Sequence, residues 1–136
     1  MELSAAAKIL LVGGMLNLLF AFVMGFVLSR VRLKDPTAEH SWLLQSHRNG
    51  LWEGFLLLGL IFAVEFSTLS TGLETLAVLL LVIASALSDG SAIANIVQGI
   101  PDQFAQRRTG YYLAATNATL AAVGLVIVFV GVLKAL

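Results

Sequence analysis

One short stretch of the sequence places a histidine and two glycines at the start of an otherwise apolar segment. His47, Gly50 and Gly54 stand at positions i, i+3 and i+7, so an α-helix aligns them on one face. Histidine is a common metal ligand and haem partner, and a face without side chains leaves room beside it for a flat ligand. The same Gly50-x-x-x-Gly54 spacing is also typical of close helix packing. The pattern therefore predicts either a cofactor site formed by these three residues or a helix interface.

Three further polar residues, Glu53, Asp89 and Asn95, interrupt apolar segments. Ionisable groups in a membrane segment are costly, and they usually face a bundle interior or a functional pocket. Glu53 and Asp89 can pair with Arg48 or share a proton, and Arg48 is expected to pair with Glu53 or with its own loop. Asp89 has no basic residue near it in the sequence, which favours a role in a site. We predict Glu53, Asp89 and Asn95 as the catalytic residues of a pocket.

The composition is that of a membrane protein. Of 136 residues, 59% are hydrophobic and 12% are charged, and the mean hydropathy is +0.94. Soluble domains carry about a quarter charged residues, so this chain lacks the polar surface needed in water. No basic cluster points to nucleic acid as a partner, and the lack of cysteine excludes disulfides and thiolate chemistry.

We predict an all-α integral membrane protein, a single domain over residues 1–136 that forms a bundle of four transmembrane helices. Each apolar run approaches the ~20 residues that a bilayer requires. The expected helices cover residues of about 9–29, 41–67, 73–97 and 110–133. Residues 30–39 are expected to form a polar loop, and Pro101 marks the end of the third helix.

Basic residues predict the orientation in the lipid bilayer. The first and third connections hold Arg30, Arg32, Lys34, Arg107 and Arg108. The positive-inside rule places these connections in the cytoplasm and both termini outside, as in a multi-pass protein of the cell inner membrane. The polar residues of the last three helices then share the cytoplasmic half of the bundle. One common pocket is expected to contain His47, Glu53, Asp89, Asn95 and Asn117.

Two motifs resemble a known family. The pattern Ser46-His47-x-x-Gly50-x-x-Glu53-Gly54-x-x-Leu57 resembles the second helix of the styrene oxide isomerase family and its small four-helix relatives. The run Ser88-Asp89-Gly90-Ser91-Ala92-Ile93-Ala94-Asn95 resembles that family's Asp-Gly-x-Ala-Asn, with two extra residues. The resemblance covers the four-helix plan and these two short motifs.

The resemblance implies a homotrimer that binds haem b, with His47 as the single axial ligand of the haem iron. It also implies an epoxide isomerase, in which ferric haem acts as a Lewis acid on a small apolar substrate and an aldehyde forms without net redox change. The family's asparagine is Glu53 here, and its active-site tyrosine falls on Val97 or Gly99. Haem binding is therefore more directly implied than isomerase activity.

Two alternatives stay open. His47-Arg48-Asn49 followed by Glu53 is similar to the membrane-associated eicosanoid and glutathione metabolism family, although the acidic residue comes four positions after the asparagine instead of three. That resemblance implies a trimeric, glutathione-dependent membrane transferase with Arg107 and Arg108 as glutathione-binding candidates. The other alternative is a non-catalytic membrane packing or assembly protein without haem.

Overall fold

Four helices make up most of the described chain. The structure, a computed structural model, describes residues 2–37 and 40–136. Within them the helices are α1 (Ala5–Lys34), α2 (Ser41–Glu65), α3 (Thr71–Gln98) and α4 (Thr109–Leu133). The predicted all-helical, four-helix plan is confirmed. By length and composition, α1, α3 and α4 are suited to cross a membrane, which indicates a membrane protein.

The main departure from the predicted boundaries is in α1. This helix begins at Ala5 rather than residue 9, where the Ser4 hydroxyl caps it by accepting the Ala7 N–H at 3.1 Å. It also continues through Lys34, so residues 30–34 are helical and not part of the expected loop. Basic side chains in a last turn interact favourably with the helix dipole, which explains the extension. The other helix ends agree with the prediction to within two residues, and Ala38 and Glu39 of the expected loop lie outside the described residues.

The helices run alternately up and down, which brings alternate connections to the same end of the bundle. At one end the Ser4 N–H donates to the Glu65 carboxylate at 3.0 Å, and the Thr68 N–H donates to the Gly131 carbonyl at 3.5 Å. At the other end the Trp42 indole N–H donates to the Ile100 carbonyl. We call the end with the Ser4 and Thr68 contacts the terminal end. The end with the Trp42 contact, where the 99–108 connection lies, is the loop end.

Glycines set the closest helix contacts. The main pairs are α1 with α2 and α3 with α4, whereas α2 and α4 touch little. A Cβ atom added to Gly14 or Gly54 would lie 3.0 or 3.1 Å from a carbonyl oxygen of the opposite helix. A Cβ on Gly124 of α4 would lie 2.9 Å from the Ala77 carbonyl oxygen. Small residues therefore let the backbones approach, as in other membrane helix pairs.

Polarity changes along the bundle. The apolar core, which includes Leu10, Leu57, Val78 and Val128, occupies the half toward the terminal end. Buried polar side chains lie from the middle of the bundle to the loop end: Asn17, Ser46, Ser85, Ser91 and Asn95. The loop-end half is therefore the part of the bundle that holds candidate chemistry.

Candidate functional site

His47 is held between α1 and α2. Its Nδ1 atom lies 2.8 Å from the Ala21 carbonyl oxygen of α1. Because a carbonyl only accepts, Nδ1 carries the hydrogen of the neutral imidazole, and Nε2 keeps its lone pair. Nε2 has no hydrogen-bond partner among the described residues and is not a fully buried atom. The hydrogen bond at Nδ1 therefore fixes the tautomer and the orientation of the ring, and it leaves Nε2 available as a ligand atom.

Gly25 provides the space for this imidazole. A Cβ atom added at Gly25 would lie 2.8 Å from Nδ1 and 2.9 Å from Cε1 of His47. Gly25 and Ala21 are one turn apart on α1, so a single small-residue face both accepts the hydrogen bond and seats the ring. The sequence interpretation missed this role. The sequence signal that marks this face is a small or polar residue at every fourth position: Gly13, Asn17, Ala21 and Gly25.

Gly50 and Gly54 do not leave an open face beside His47. A Cβ atom at Gly50 would lie 3.0 Å from the Ala21 Cβ and 3.2 Å from the Asn17 carbonyl oxygen, both on α1. Gly54 is covered in the same way by Leu18. Within this chain the two glycines pack against a helix, as the alternative interpretation of their spacing predicted.

Glu53 lies on another side of α2. It lines a cavity of about 200 Å³ against α3 and α4, together with Ser85 and Asn117. Six positions separate it from His47, which corresponds to about 120° around a helix of 3.6 residues per turn. The expected single pocket that contains both His47 and Glu53 is therefore wrong, because α2 itself separates them.

Asp89 of α3 joins Glu53 on this side. The two carboxyl groups are close enough to interact electrostatically, and the Ser88 hydroxyl is a hydrogen-bond partner of Glu53. Glu53 Oε2 and Asp89 Oδ1 are buried and have no partner among the described residues. Neither carboxyl group has an ion-pair partner among the described residues, so two negative charges here would repel each other.

The expected pairing of Arg48 with Glu53 is wrong. Arg48 is exposed and lines a cleft on the outer side of α2 with Gln45 and Trp52. Within residues 2–37 and 40–136, the one ion pair joins Lys8 and Glu2 at the surface. Arg48 and Glu53 are five positions apart, which places them on different faces of the helix.

Asn95 belongs to a separate polar cluster at the loop end. It is 1% exposed, and its Nδ2 donates to Gln103 Oε1 at 3.0 Å. Its amide packs against Gly110 at the start of α4. With His40, it lines a cleft of about 310 Å³, and Asn95 Oδ1 and His40 Nε2 are both buried without a partner in the described part of the chain. Asn95 therefore links α3 to the 99–108 connection rather than joining Glu53 and Asp89.

The remaining candidates lie at the surface. Arg107 is exposed and places its guanidinium 5.4 Å from the centre of the Tyr111 ring, and Arg108 lines a shallow cleft beside Tyr112. The described residues contain no group of three or more histidine, aspartate or glutamate side chains able to hold a metal ion. No family model, curated protein or solved structure matches the chain.

Proposed function

We propose that this chain is a membrane haem protein in which Nε2 of His47 binds the iron of haem b. The observation that carries the proposal is the 2.8 Å contact between His47 Nδ1 and the Ala21 carbonyl oxygen. Histidines that bind metals almost always donate their other ring N–H to a carbonyl or carboxylate, which fixes the tautomer and raises the basicity of the ligand. His47 has this arrangement, and its Nε2 has no competing protein partner in the described chain.

The ligand set suits haem better than a bare metal ion. No cluster of three potential ligands is present among the described residues, but haem iron needs only one protein ligand, as a proximal histidine provides in globins and peroxidases. The macrocycle supplies the other equatorial nitrogens. The covered Gly50 and Gly54 face does not take part, so the macrocycle would lie on the open side of His47.

Homotrimer formation is part of the proposal. The side chains that follow Ala21 and Gly25 on α1 are Phe22 and Phe26, which are 66% and 61% exposed. They are exposed apolar side chains on the helix that accepts the hydrogen bond from His47, and apolar surface of this kind suits an interface between subunits. A neighbouring subunit would cover it. Native mass spectrometry of the purified protein tests this, with a mass of three 14.5 kDa chains as the expected result and a monomer as the contradicting one.

The proposed reaction is the isomerisation of a small apolar epoxide to an aldehyde. Bound ferric haem supplies a Lewis acid for the epoxide oxygen. His47 would hold the iron, and apolar side chains around the bound substrate would exclude the water that hydrolyses the epoxide. Glu53, Asp89 and Asn95 do not reach the His47 side of α2 in one chain, so the proposal gives them no step in epoxide opening within a subunit.

We propose that α2 is the fourth membrane-crossing helix. Its 25 residues span about 37 Å at 1.5 Å per residue, enough to cross the hydrocarbon core. His47 faces α1 and Glu53 faces α3 and α4, so each of these polar side chains lies against a neighbouring helix of the bundle. Arg48 is close to the loop end, where a long basic side chain extends to the membrane surface.

The visible absorption spectrum of the detergent-purified protein tests the haem proposal. The oxidised and reduced protein is recorded before and after haemin is added. Wild-type protein is expected to show a stoichiometric Soret band that His47→Ala loses, whereas the control His40→Ala keeps it. Gel filtration verifies that each variant is folded. A folded wild-type protein that takes up no haemin contradicts the proposal, as does His47→Ala with an unchanged band.

The isomerase proposal has its own assay. Haem-loaded protein is incubated with an aryl epoxide, and the products are separated by gas chromatography. The expected product is the aldehyde, formed in proportion to the haem content. A haem-loaded protein that leaves the epoxide intact, or yields only the diol, contradicts isomerisation and leaves the haem site standing.

A further inference from the structure

A cavity of about 200 Å³ between α2, α3 and α4 is separate from the His47 contact with α1. It exists because α2 and α4 touch little and because the walls carry small side chains at Ala84, Ala118 and Ala121. Two leucines at its rim, Leu56 and Leu125, are 48% and 36% exposed on the outer surface of the bundle. An apolar molecule dissolved in the bilayer therefore has a lateral route into the cavity.

The cavity has a polar end and an apolar end. Because α2 and α4 run from the loop end to the terminal end, Glu53 and Asn117 line its loop-end half. Leu57 and Leu125 come later on the same two helices, and Leu81 comes earlier on the antiparallel α3, so all three line the other half. Four residues of helix correspond to about 6 Å. The cavity thus matches a molecule with one polar group and a hydrocarbon body of a few ångströms.

Two polar side chains in this cavity have hydrogen-bonding atoms without a partner. Glu53 Oε2 is buried with no hydrogen bond in the described residues. The half-buried Asn117 lines the same cavity and its amide also makes no hydrogen bond there. Ser85, at the same level, is satisfied: its hydroxyl donates to the Val82 carbonyl at 2.9 Å and accepts from Asn17 at 3.0 Å. A buried polar atom without a partner is costly. Water can satisfy the polar end, but apolar cavities stay dry.

We propose that this cavity is a binding site for a small apolar alcohol. A hydroxyl has one donor and two acceptor positions, so it can donate to Glu53 Oε2 and accept from the Asn117 amide. Its hydrocarbon body then lies against Leu57, Leu81 and Leu125. A cavity of about 150 Å³ is enough for a benzene ring, so this one has room for a ring and a hydroxymethyl group. A carboxylic acid is disfavoured in its ionised form because Glu53 and the neighbouring Asp89 are acidic.

Binding is tested with 4-fluorobenzyl alcohol and 4-fluorotoluene, which differ in the hydroxyl. Fluorine NMR titrations use the protein in lipid nanodiscs, and empty nanodiscs measure partitioning into the lipid. The expected result is saturable binding of one alcohol per chain, with 4-fluorotoluene at least tenfold weaker. No saturable component above that of empty nanodiscs overturns the proposal. Equal binding of the two probes also overturns it, because the polar end would then contribute nothing.

Matched variants locate the site. Ala121→Phe fills the apolar half of the cavity and is expected to abolish binding, whereas Ala122→Phe adds the same ring on the exposed side of α4 and is expected to leave it unchanged. Equal binding by these two variants overturns the assignment. Gel filtration and circular dichroism of each variant establish that a loss of binding is not a loss of fold.

Variants of the polar end test the hydrogen bonds. Glu53→Gln keeps an accepting oxygen and is expected to bind the alcohol within threefold of wild type, whereas Glu53→Leu and Asn117→Leu are each expected to weaken it at least tenfold. Unchanged binding in both leucine variants overturns the proposal, as does tighter binding of 4-fluorobenzylamine than of the alcohol. These measurements need no haem, so a negative binding result leaves the His47 proposal intact. A negative haem result likewise leaves the proposed alcohol site intact.

Discussion

The hydrogen bond from His47 Nδ1 to the Ala21 carbonyl gives this imidazole one orientation between α1 and α2. His40, the second histidine, precedes α2 at the loop end and has a buried Nε2 without a partner in the described chain. The two histidines therefore differ in whether Nε2 is accessible. In His47 the accessible atom is the one that can bind iron, whereas His40 Nε2 is enclosed.

At the residue scale, Gly25→Ala is expected to weaken haem binding without touching the iron ligand. The new Cβ would lie 2.8 Å from His47 Nδ1, so the ring must move and its bond to Ala21 is lost. Losing such an outer partner typically costs about 10–100-fold in metal affinity. Haemin titration of the two proteins, followed at the Soret band, measures the change.

The control for this prediction is Gly59→Ala, in the middle of α2. No atom lies within 4 Å of an added Cβ there, so haem affinity is expected to stay at the wild-type value. Replacing a helical glycine by alanine stabilises a helix by about 0.5–1 kcal/mol, so the control variant is expected to be at least as stable as wild type. If Gly25→Ala and Gly59→Ala bind haemin equally well, the position of the imidazole does not depend on Gly25.

The side chain of Asn17 links α1 to α3 and offers a second prediction at this scale. Asn17 is 5% exposed, and its Nδ2 donates to Ser85 Oγ at 3.0 Å. A double-mutant cycle of Asn17→Ala and Ser85→Ala, measured by unfolding in mixed detergent micelles, is expected to give a coupling free energy of about 0.6 kcal/mol and at most about 1.7 kcal/mol. Strict additivity of the two substitutions contradicts a bond between these side chains.

At the scale of the helices, hydropathy was enough to predict the elements, because a membrane chain must satisfy its backbone hydrogen bonds within each segment. The prediction failed at residues 30–34, where a charged run was interpreted as a loop although its basic residues suit a helix C-terminus. The site was harder to predict. His47 and Glu53 share α2, but whether they meet depends on which neighbour covers each face, and a local pattern does not contain that information.

The α3–α4 interface gives the prediction for this scale. Gly124→Ala would place a Cβ 2.9 Å from the Ala77 carbonyl oxygen and 2.8 Å from Leu81 Cγ. Because a backbone atom is involved, the helices must separate, and overpacking of this kind costs about 1–3 kcal/mol of unfolding free energy. Gly90→Ala, on α3 at the same helix pair, meets only Leu113 at 3.8 Å and is expected to be neutral or stabilising. Thermal unfolding in one detergent compares the two, and equal stability contradicts the packing described.

At the scale of the whole molecule, the chain's orientation in the membrane can be tested because it contains no cysteine. Single cysteines are introduced as Ser70→Cys, in the turn at the terminal end, and Gln106→Cys, in the 99–108 connection; both positions are exposed. With the basic connections in the cytoplasm, a membrane-impermeant maleimide added to intact spheroplasts is expected to label Ser70→Cys alone. Gln106→Cys should react only after the membrane is opened, and the reverse labelling contradicts the orientation.

Chemical rescue tests most directly whether His47 is the single protein ligand of the haem iron. In His47→Gly the imidazole is missing and its space is open, so the purified variant with haemin is expected to lack the wild-type Soret band. Added free imidazole should then restore the wild-type band position in a saturable manner, because it occupies the vacated ligand position. A His47→Gly protein that keeps the wild-type band without imidazole contradicts the assignment. So does a folded variant in which imidazole at any concentration restores nothing.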